Sequence, residues 1–594
     1  MNSSLKATAL TILSFSLTGL RLHAGPAADL GGERIVSLAP NLTEIVCAIG
    51  GAHHLVGRTS ACDFPPEAIK DVQVVGGFGA PSLERLLEVK PSIILDVALA
   101  DEALGQKIAD IGLRRERIHC GSLMEIPEAV IAVGRLIGHE SEAENLASNL
   151  RSEIEAFRLR AAATRKRPRV YVEIWCDPLT TVGRTSYISE LVALAGGDNI
   201  GDEASRDYYQ VGPEWVIEQN PEIILCLYDT GSGMTRKDNA GAGMARMAML
   251  QRSEWKVVSA VRTGRVYDNL DYNLVLRPGP RVTKSLALLE RSFQQPGTAA
   301  AMPGAADIAH ASQRLRLFRL LAALVVGAAL SCAGVVLQAL LKNPLAEPYV
   351  LGVSSGAALG AAIAILTGCA VAGAFVIPAI AFVSAGITLT LVYLLSRSGG
   401  TPSIYGLVIS GVIVSSICSS LLMFIITLAP VSGIHDILWW MLGNLQVTSY
   451  PLLRAVVVLS VAGIAAIWLL SPDLNALTLG REMAHYVGVR TNVVIPLGLT
   501  LATLITAAAV AMAGLIGFVG LIVPHVVRSL VGPDHRRLVP ASALAGGLFL
   551  ALCDLAARTI LAPVEIPVGV ITALLGGPFF LVILRSRRRQ GWIG

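Results

Sequence analysis

The stretch 293–340, FQQPGTAAAMPGAADIAHASQRLRLFRLLAALVVGAALSCAGVVLQAL, divides the chain into two unlike halves. Its first part, 294–313, is rich in Ala, Pro and Gly and reads as a linker. From Leu317 the residues become a predominantly apolar run, interrupted near its start by Arg319, long enough to cross a bilayer. Before the divide, between about Gly31 and Phe293, charges, prolines and apolar residues mix as they do in a water-soluble α/β protein. After it, apolar runs dominate and charges gather in short clusters. The 594 residues have a mean hydropathy of +0.60, with 53% hydrophobic and 15% charged residues, and that average conceals the division. A net charge of +4 is too small to argue for nucleic acid, and the basic residues show no interleaving with aromatics.

Residues 1–24 carry Lys6, an apolar stretch from Ala7 to Leu20 and a small-residue site ending at Ala24. This stretch is shorter than the roughly 20 residues of a spanning helix and predicts an export signal, with an uncleaved anchor as the alternative. Nine cysteines divide five to four between the halves. No CxxC or Cys/His spacing indicates a metal site, and disulfide connectivity is not readable from spacing.

In the first half, RIVSL (34–38), HLVGR (54–58), VQVVGG (72–77) and SIILDV (92–97) have the β-branched content of strands, separated by segments apolar at three-to-four spacing. A charged run from Pro127 to Lys166 predicts one or two long helices. A second strand set then opens with RVYVEIW at 169 and continues through EIILCLYD and GRVYDN. The expected fold is a two-lobed α/β binding domain with a long helix between the lobes, followed by an all-α membrane domain.

Five ordered motifs carry a family resemblance in this half. They are Ser37-Leu38-Ala39-Pro40-Asn41 with Thr43-Glu44, Cys62 to Glu67, Ser82 to Arg85 with Lys90-Pro91, Trp175 to Leu179 with Leu194 to Ile200, and Arg277 to Arg281. The region 33–293 resembles the substrate-binding proteins that serve cobalamin, haem and ferric-siderophore importers. That resemblance implies ligand contacts from Phe78, Trp175, Asp177, Tyr208, Tyr209, Tyr228, Asp229, Asp271 and Tyr272, with lobe packing as the alternative for each. Aromatic faces suit a large flat macrocycle such as a corrin or a porphyrin.

In the second half, nine apolar segments lie near 317–340, 350–368, 370–395, 404–428, 450–470, 492–512, 514–530, 540–556 and 566–584. Arg316-Leu317-Phe318-Arg319, Asn343 to Pro348, Leu351 to Ala357, Gly517 to Leu521, Gly532 to Arg536 and Glu565 to Gly569 resemble the permease subunits of iron-chelate and cobalamin importers, over about 314–590. This permease family has ten helices, and the first is absent here. A domain outside the membrane then feeds an outside-to-inside span, which is the direction of the family's second helix. The basic residues agree: Lys342, Arg397, Arg481, Arg490, Arg528, Arg536, Arg537 and the Arg585 to Arg589 tail fall on expected inner positions. The expected location is a bacterial inner membrane, with the first domain in the periplasm.

By the same resemblance, Arg316, Arg319 and Arg558 receive carboxylates from the docked binding domain, and Glu84 matches one of those carboxylates. Alignment puts Leu276 where the second would stand, so the expected docking is either lopsided or completed by Asp271 as a substitute. Asp554 and Arg558, four apart, can also pair with one another. The segment 479–490, including Gly480, Arg481, Glu482, Met483, Ala484 and Gly488, matches the coupling helices that contact the ATPase. No Walker A pattern occurs, so separate cytoplasmic ATPase subunits are expected partners, together with a second permease copy and a tetrapyrrole or iron-chelate ligand. No catalytic residue or cofactor is indicated. A ligand sensor that has lost transport, and an enzyme acting on a tetrapyrrole, are the rival readings.

Overall fold

The structure is a computed structural model that describes residues 33–97, 102–228, 252–298, 302–367, 375–398, 401–429, 431–447 and 449–588. The expected export signal and Asp229 lie outside the described residues.

The first lobe is built on a six-stranded sheet. Its strands are β1 (Ile35–Ser37), β2 (Leu55–Thr59), β3 (Gln73–Gly77), β4 (Ala80–Pro81), β5 (Ile93–Asp96) and β6 (Arg115–Arg117), in the order β4-β3-β2-β1-β5-β6. All neighbours are parallel except the edge pair β3 and β4. The strands are short and β-branched because helices cover the sheet. Val36, Leu38, Val75 and Ile94 pack with Leu86 and Val89 of α2 (Leu83–Val89). α1 (Pro40–Ala48) starts on a proline, whose missing N–H would be unpaired at that position anyway. The charged run forms two helices, α3 (Glu125–Ile137) and α4 (Glu140–Ala163), because Gly138 takes φ 75° and ends the first.

The second lobe carries β7 (Arg169–Cys176), β8 (Leu179–Val182), β9 (Asp198–Asn199), β10 (Tyr208–Gln210), β11 (Ile223–Cys226) and β12 (Val266–Tyr267), ordered β10-β8-β7-β11-β12 with β9 also on β7. Its helices include α5 (Tyr187–Leu194), α6 (Pro213–Gln219) and α7 (Val282–Gln294). The described cysteines are free.

The membrane domain contains α8 (Ala305–Leu340), α9 (Val353–Leu366), α10 (Val376–Leu395), α11 (Ile404–Leu428), α12 (Val431–Leu442), α13 (Tyr450–Leu469), α14 (Ser471–Thr478), α15 (Arg481–Tyr486), α16 (Thr491–Ala513), α17 (Val519–Val531), α18 (His535–Thr559) and α19 (Val568–Arg588). Among the described residues, six of these are long and apolar enough to span a bilayer, and α9, α17 and α19 are shorter apolar helices. These nine correspond to the nine apolar segments. The seventh segment begins its helix at Val519 instead of 514, because Gly514 at φ 68° terminates α16. α12, α14 and α15 are additional short helices between spans.

The linker is also shorter than its composition implies. α8 begins at Ala305, where the backbone N–H of Gly304 donates to Asp307 at 3.1 Å, and no proline follows Pro303 to break it. Its 36 residues extend about 54 Å, against a hydrocarbon thickness of about 30 Å. The amino-terminal turns therefore project beyond the lipid. α8 is also the centre of the bundle and packs through small residues. A Cβ on Gly327 would lie 2.2 Å from the carbonyl of Gly546 in α18, and one on Gly334 would lie 1.9 Å from that of Gly520 in α17. Close backbone approach of this kind replaces the hydrophobic drive that lipid does not supply.

Candidate functional site

The projecting end of α8 rests on α6 of the second lobe. Ala311 and Leu315 are buried with Val216, Ile217 and Trp255 in one apolar cluster, to which Ile308 and Val564 add. α6 reads PEWVIEQ, so Val216 and Ile217 enter the lobe core. Glu214 and Glu218, four residues apart, share another face.

That face meets the arginines. Arg316 donates through Nη2 to Glu218 Oε1 at 2.5 Å, and Ser312 Oγ donates to the same oxygen at 2.5 Å. One turn deeper, Arg319 is almost wholly buried and faces three carboxylates. Its Nε donates to Asp554 Oδ1 at 2.9 Å, its Nη1 to Glu565 Oε1 at 3.0 Å, and Glu214 Oε2 lies 3.9 Å away. Arg558 lies 3.1 Å from the other oxygen of Asp554, the neighbour expected from their four-residue spacing. Glu565 is tied further to the lobe: its backbone N–H donates to Gln210 O at 3.1 Å, while Gln446 donates to its Oε2 at 3.0 Å. Gly212 makes room for this, since a Cβ there would lie 2.4 Å from Glu565 Oε1. Burial raises the Glu214 carboxyl above its usual range and the nearby Glu565 charge adds to this, while Arg319 pulls the other way.

The second-lobe carboxylates at the arginines are thus Glu214 and Glu218. Leu276 ends the short helix Tyr272–Leu276, and Asp271 caps that helix by accepting from Leu274 N at 3.3 Å. Glu84 is exposed in the first turn of α2. In the sequence Glu214 and Glu218 are two acids at i and i+4 on a short segment, and that spacing alone carries no signal of which helix they face.

A second contact involves the ligand candidates. Trp175, at the carboxyl end of β7, donates from Nε1 to Asp436 Oδ1 of α12 at 2.8 Å, and its ring lies 4.6 Å from that of His435. Burial lifts the Asp436 carboxyl to about 6. Tyr209 is buried and donates to Gly201 O at 2.9 Å, which makes it part of the lobe core. Tyr228 is buried and donates to Glu173 at 2.8 Å, and Glu173 in turn lies 3.5 Å from Arg252. Phe78, between β3 and β4, is 53% exposed and Tyr208 51%. Asp177 is exposed directly after β7, and Tyr272 opens the helix capped by Asp271.

The segment 479–490 forms the short helix α15 between Gly480 at φ 121° and Gly488 at φ 99°. Ala484 is buried, and Arg481 donates to Asn492 at 3.0 Å, which anchors one face. Leu479, Met483, Tyr486 and Val487 are exposed, from 53% for Met483 to 83% for Tyr486, and Glu482 lies in the first turn.

Comparison with known proteins agrees with this division. Residues 285–586 match the FecCD transport family, and residues 35–271 match the periplasmic binding protein family. An uncharacterized ABC transporter permease protein of Bacillus subtilis, YvrB, is 40% identical over 47% of this chain and 79% of its own length. The cobalamin import system permease protein BtuC of Halobacterium salinarum is 43% identical over 46% of this chain and 73% of its own. The hemin transport system permease protein HmuU of Yersinia pestis is 36% identical over 47% and 85%. An importer-type binding domain thus precedes a multi-pass permease in one polypeptide, and neither matched family is an enzyme. The chain belongs to the FecCD transport family, with a periplasmic-binding-protein domain fused ahead of the permease.

Proposed function

We propose that this protein captures a corrinoid outside the inner membrane and passes it inward as the fused receptor and permease of an ATP-driven importer. The observation that carries the receptor-to-permease part is the buried Arg319 cluster, which joins Glu214 of the binding domain to Asp554 and Glu565 of the permease. Charge-assisted contacts of this type set register and speed of association. The exposed aromatics Phe78 and Tyr208 support a flat, largely apolar ligand. The 43% identity to a cobalamin import permease favours a corrinoid, and the hemin permease at 36% makes haem the alternative, with a ferric siderophore beside it.

Two copies of the chain form the permease, with two separate ATPase subunits bound through α15. The exposed apolar face of α15, set on a buried Ala484 between two glycines, supports that role. The two binding domains then share one outer docking surface, each held near it by its own chain. The limits proposed with this reading are a signal at 1–24, a binding domain at 33–293, a linker ending where α8 starts at Ala305, and a permease from there to about 590.

Calorimetric titration of the full-length chain in detergent with cobalamin, haem and a ferric hydroxamate tests the ligand. Micromolar or tighter binding of cobalamin is the expected result. Binding of haem or the hydroxamate alone overturns the corrinoid assignment and leaves the importer reading in place.

A further inference from the structure

Three of the ten histidines meet in the first lobe. His53 and His54 lie in the turn leading into β2, and His139 occupies the junction between α3 and α4. One ring nitrogen from each of the three lies within 4.8 Å of those from the other two. The ring centroids are 4.0 Å apart for His53 and His54, 5.5 Å for His54 and His139, and 5.9 Å for His53 and His139. We propose that His53, His54 and His139 bind a borderline divalent transition ion, Zn2+ by preference, at the end of the sheet where β2 begins.

Three features favour a metal site over chance proximity. The Nδ1 of His54 lies 2.9 Å from the carbonyl of Glu33; a carbonyl only accepts, so Nδ1 carries the proton and Nε2 presents its lone pair. Metal-ligating histidines have their second nitrogen oriented by a backbone or carboxylate acceptor in this way. The two segments that bring the rings together are also set by tight packing. Gly50, at φ 82°, turns the chain beside the His139 ring, and Gly51 packs so closely on Ile137 that a Cβ would lie 2.5 Å from its Cδ1. Gly138 places His139 by letting its N–H donate to Gly134 O at 2.9 Å. Finally, the rings are exposed or half-buried, so an ion can enter.

Metal–nitrogen bonds of about 2.0–2.1 Å put tetrahedral nitrogens roughly 3.3 Å apart, so small rotations of these side chains close the site. Imidazole donors suit Zn2+, Co2+, Ni2+ and Cu2+ and disfavour Mg2+ and Ca2+. Three protein ligands leave a fourth position for water. Because β1 and β2 run parallel, the amino end of β2 lies away from the β1–α1 loop at the carboxyl end of the sheet. The ion would thus link the turn before β2 to the α3–α4 junction, and would act on the lobe's stability without occupying that edge.

The test uses the full-length chain in detergent, purified without a polyhistidine tag and stripped with EDTA. Co2+ is titrated first and then displaced with Zn2+. One Co2+ per chain with visible d–d absorption, released by Zn2+, is expected. The double variant His53→Gln, His139→Gln should weaken binding at least about tenfold, while His310→Gln leaves it unchanged. A parent without the cobalt absorption, or a double variant that keeps it at equal affinity, overturns the site. X-ray absorption of the zinc-loaded parent gives a reading independent of variant folding. Three imidazoles in the shell support the site, and a shell without them defeats it.

Discussion

Arg319 and Arg316 sit three residues apart on one helix, yet burial gives them different energetic roles. Arg319 is surrounded by Asp554, Glu565 and Glu214, so removing its guanidinium strands acids in a place water barely reaches. Breaking a buried pair from one side costs about 3–5 kcal/mol. Arg316 and Glu218 are roughly half exposed, and such pairs contribute at most about 1 kcal/mol. Arg319→Ala should therefore lower the thermal unfolding midpoint of the detergent-purified protein markedly, and Arg316→Ala should leave it within a degree or two of the parent. Equal effects from the two variants would show that the burial difference has no energetic weight. Both arginines were legible in the sequence through the Arg316-Leu317-Phe318-Arg319 motif. Their partners were not, because a carboxylate's partner depends on which helix faces it.

At the scale of elements, α8 is the longest helix among the described residues and the one that joins the halves. Its inner turns need small residues, as Gly334 does opposite Gly520 and Gly327 opposite Gly546. Gly334→Val would put side-chain atoms onto a backbone carbonyl that cannot rotate away. The expected cost is at the upper end of overpacking, about 3 kcal/mol. Size-exclusion profiles of membrane extracts should show loss of the monodisperse peak. A normal profile would mean that α8 and α17 separate more easily than their packing implies. The span itself was plain from hydropathy, as was the alternation of strands and helices in the lobes. The helical start at Ala305 was hidden by composition, because alanines followed by a polar turn read equally as linker and helix. Contact with α6 decides between them by burying Ala311 and Leu315.

For the whole molecule, docking of the second lobe on the permease is linked to protons. Glu214 has its carboxyl raised chiefly by burial in the contact, and Asp436 is lifted to about 6 under Trp175, again chiefly by burial. A carboxyl whose pKa is raised in the docked state holds a proton that the free state releases. Docking is therefore favoured fully below the ordinary carboxylate range and weakens as pH rises through about 6. Crosslinking of the second lobe to the permease should decrease between about pH 5 and about pH 8, and Glu214→Gln should flatten that dependence. A yield that rises with pH would refute the linkage. Composition and pattern alone were enough to establish two halves, strands at β1, β2, β3, β5, β7, β11 and β12, nine apolar segments and the pairing of Asp554 with Arg558, since each depends on local periodicity or four-residue spacing. Tertiary structure alone decided that Glu214 and Glu218 meet the arginines, that Trp175 reaches Asp436, that Tyr209 and Tyr228 serve the lobe interior, and that His139 joins His53 and His54. In each of these the residues are distant along the chain, and only packing brings their side chains within bonding reach.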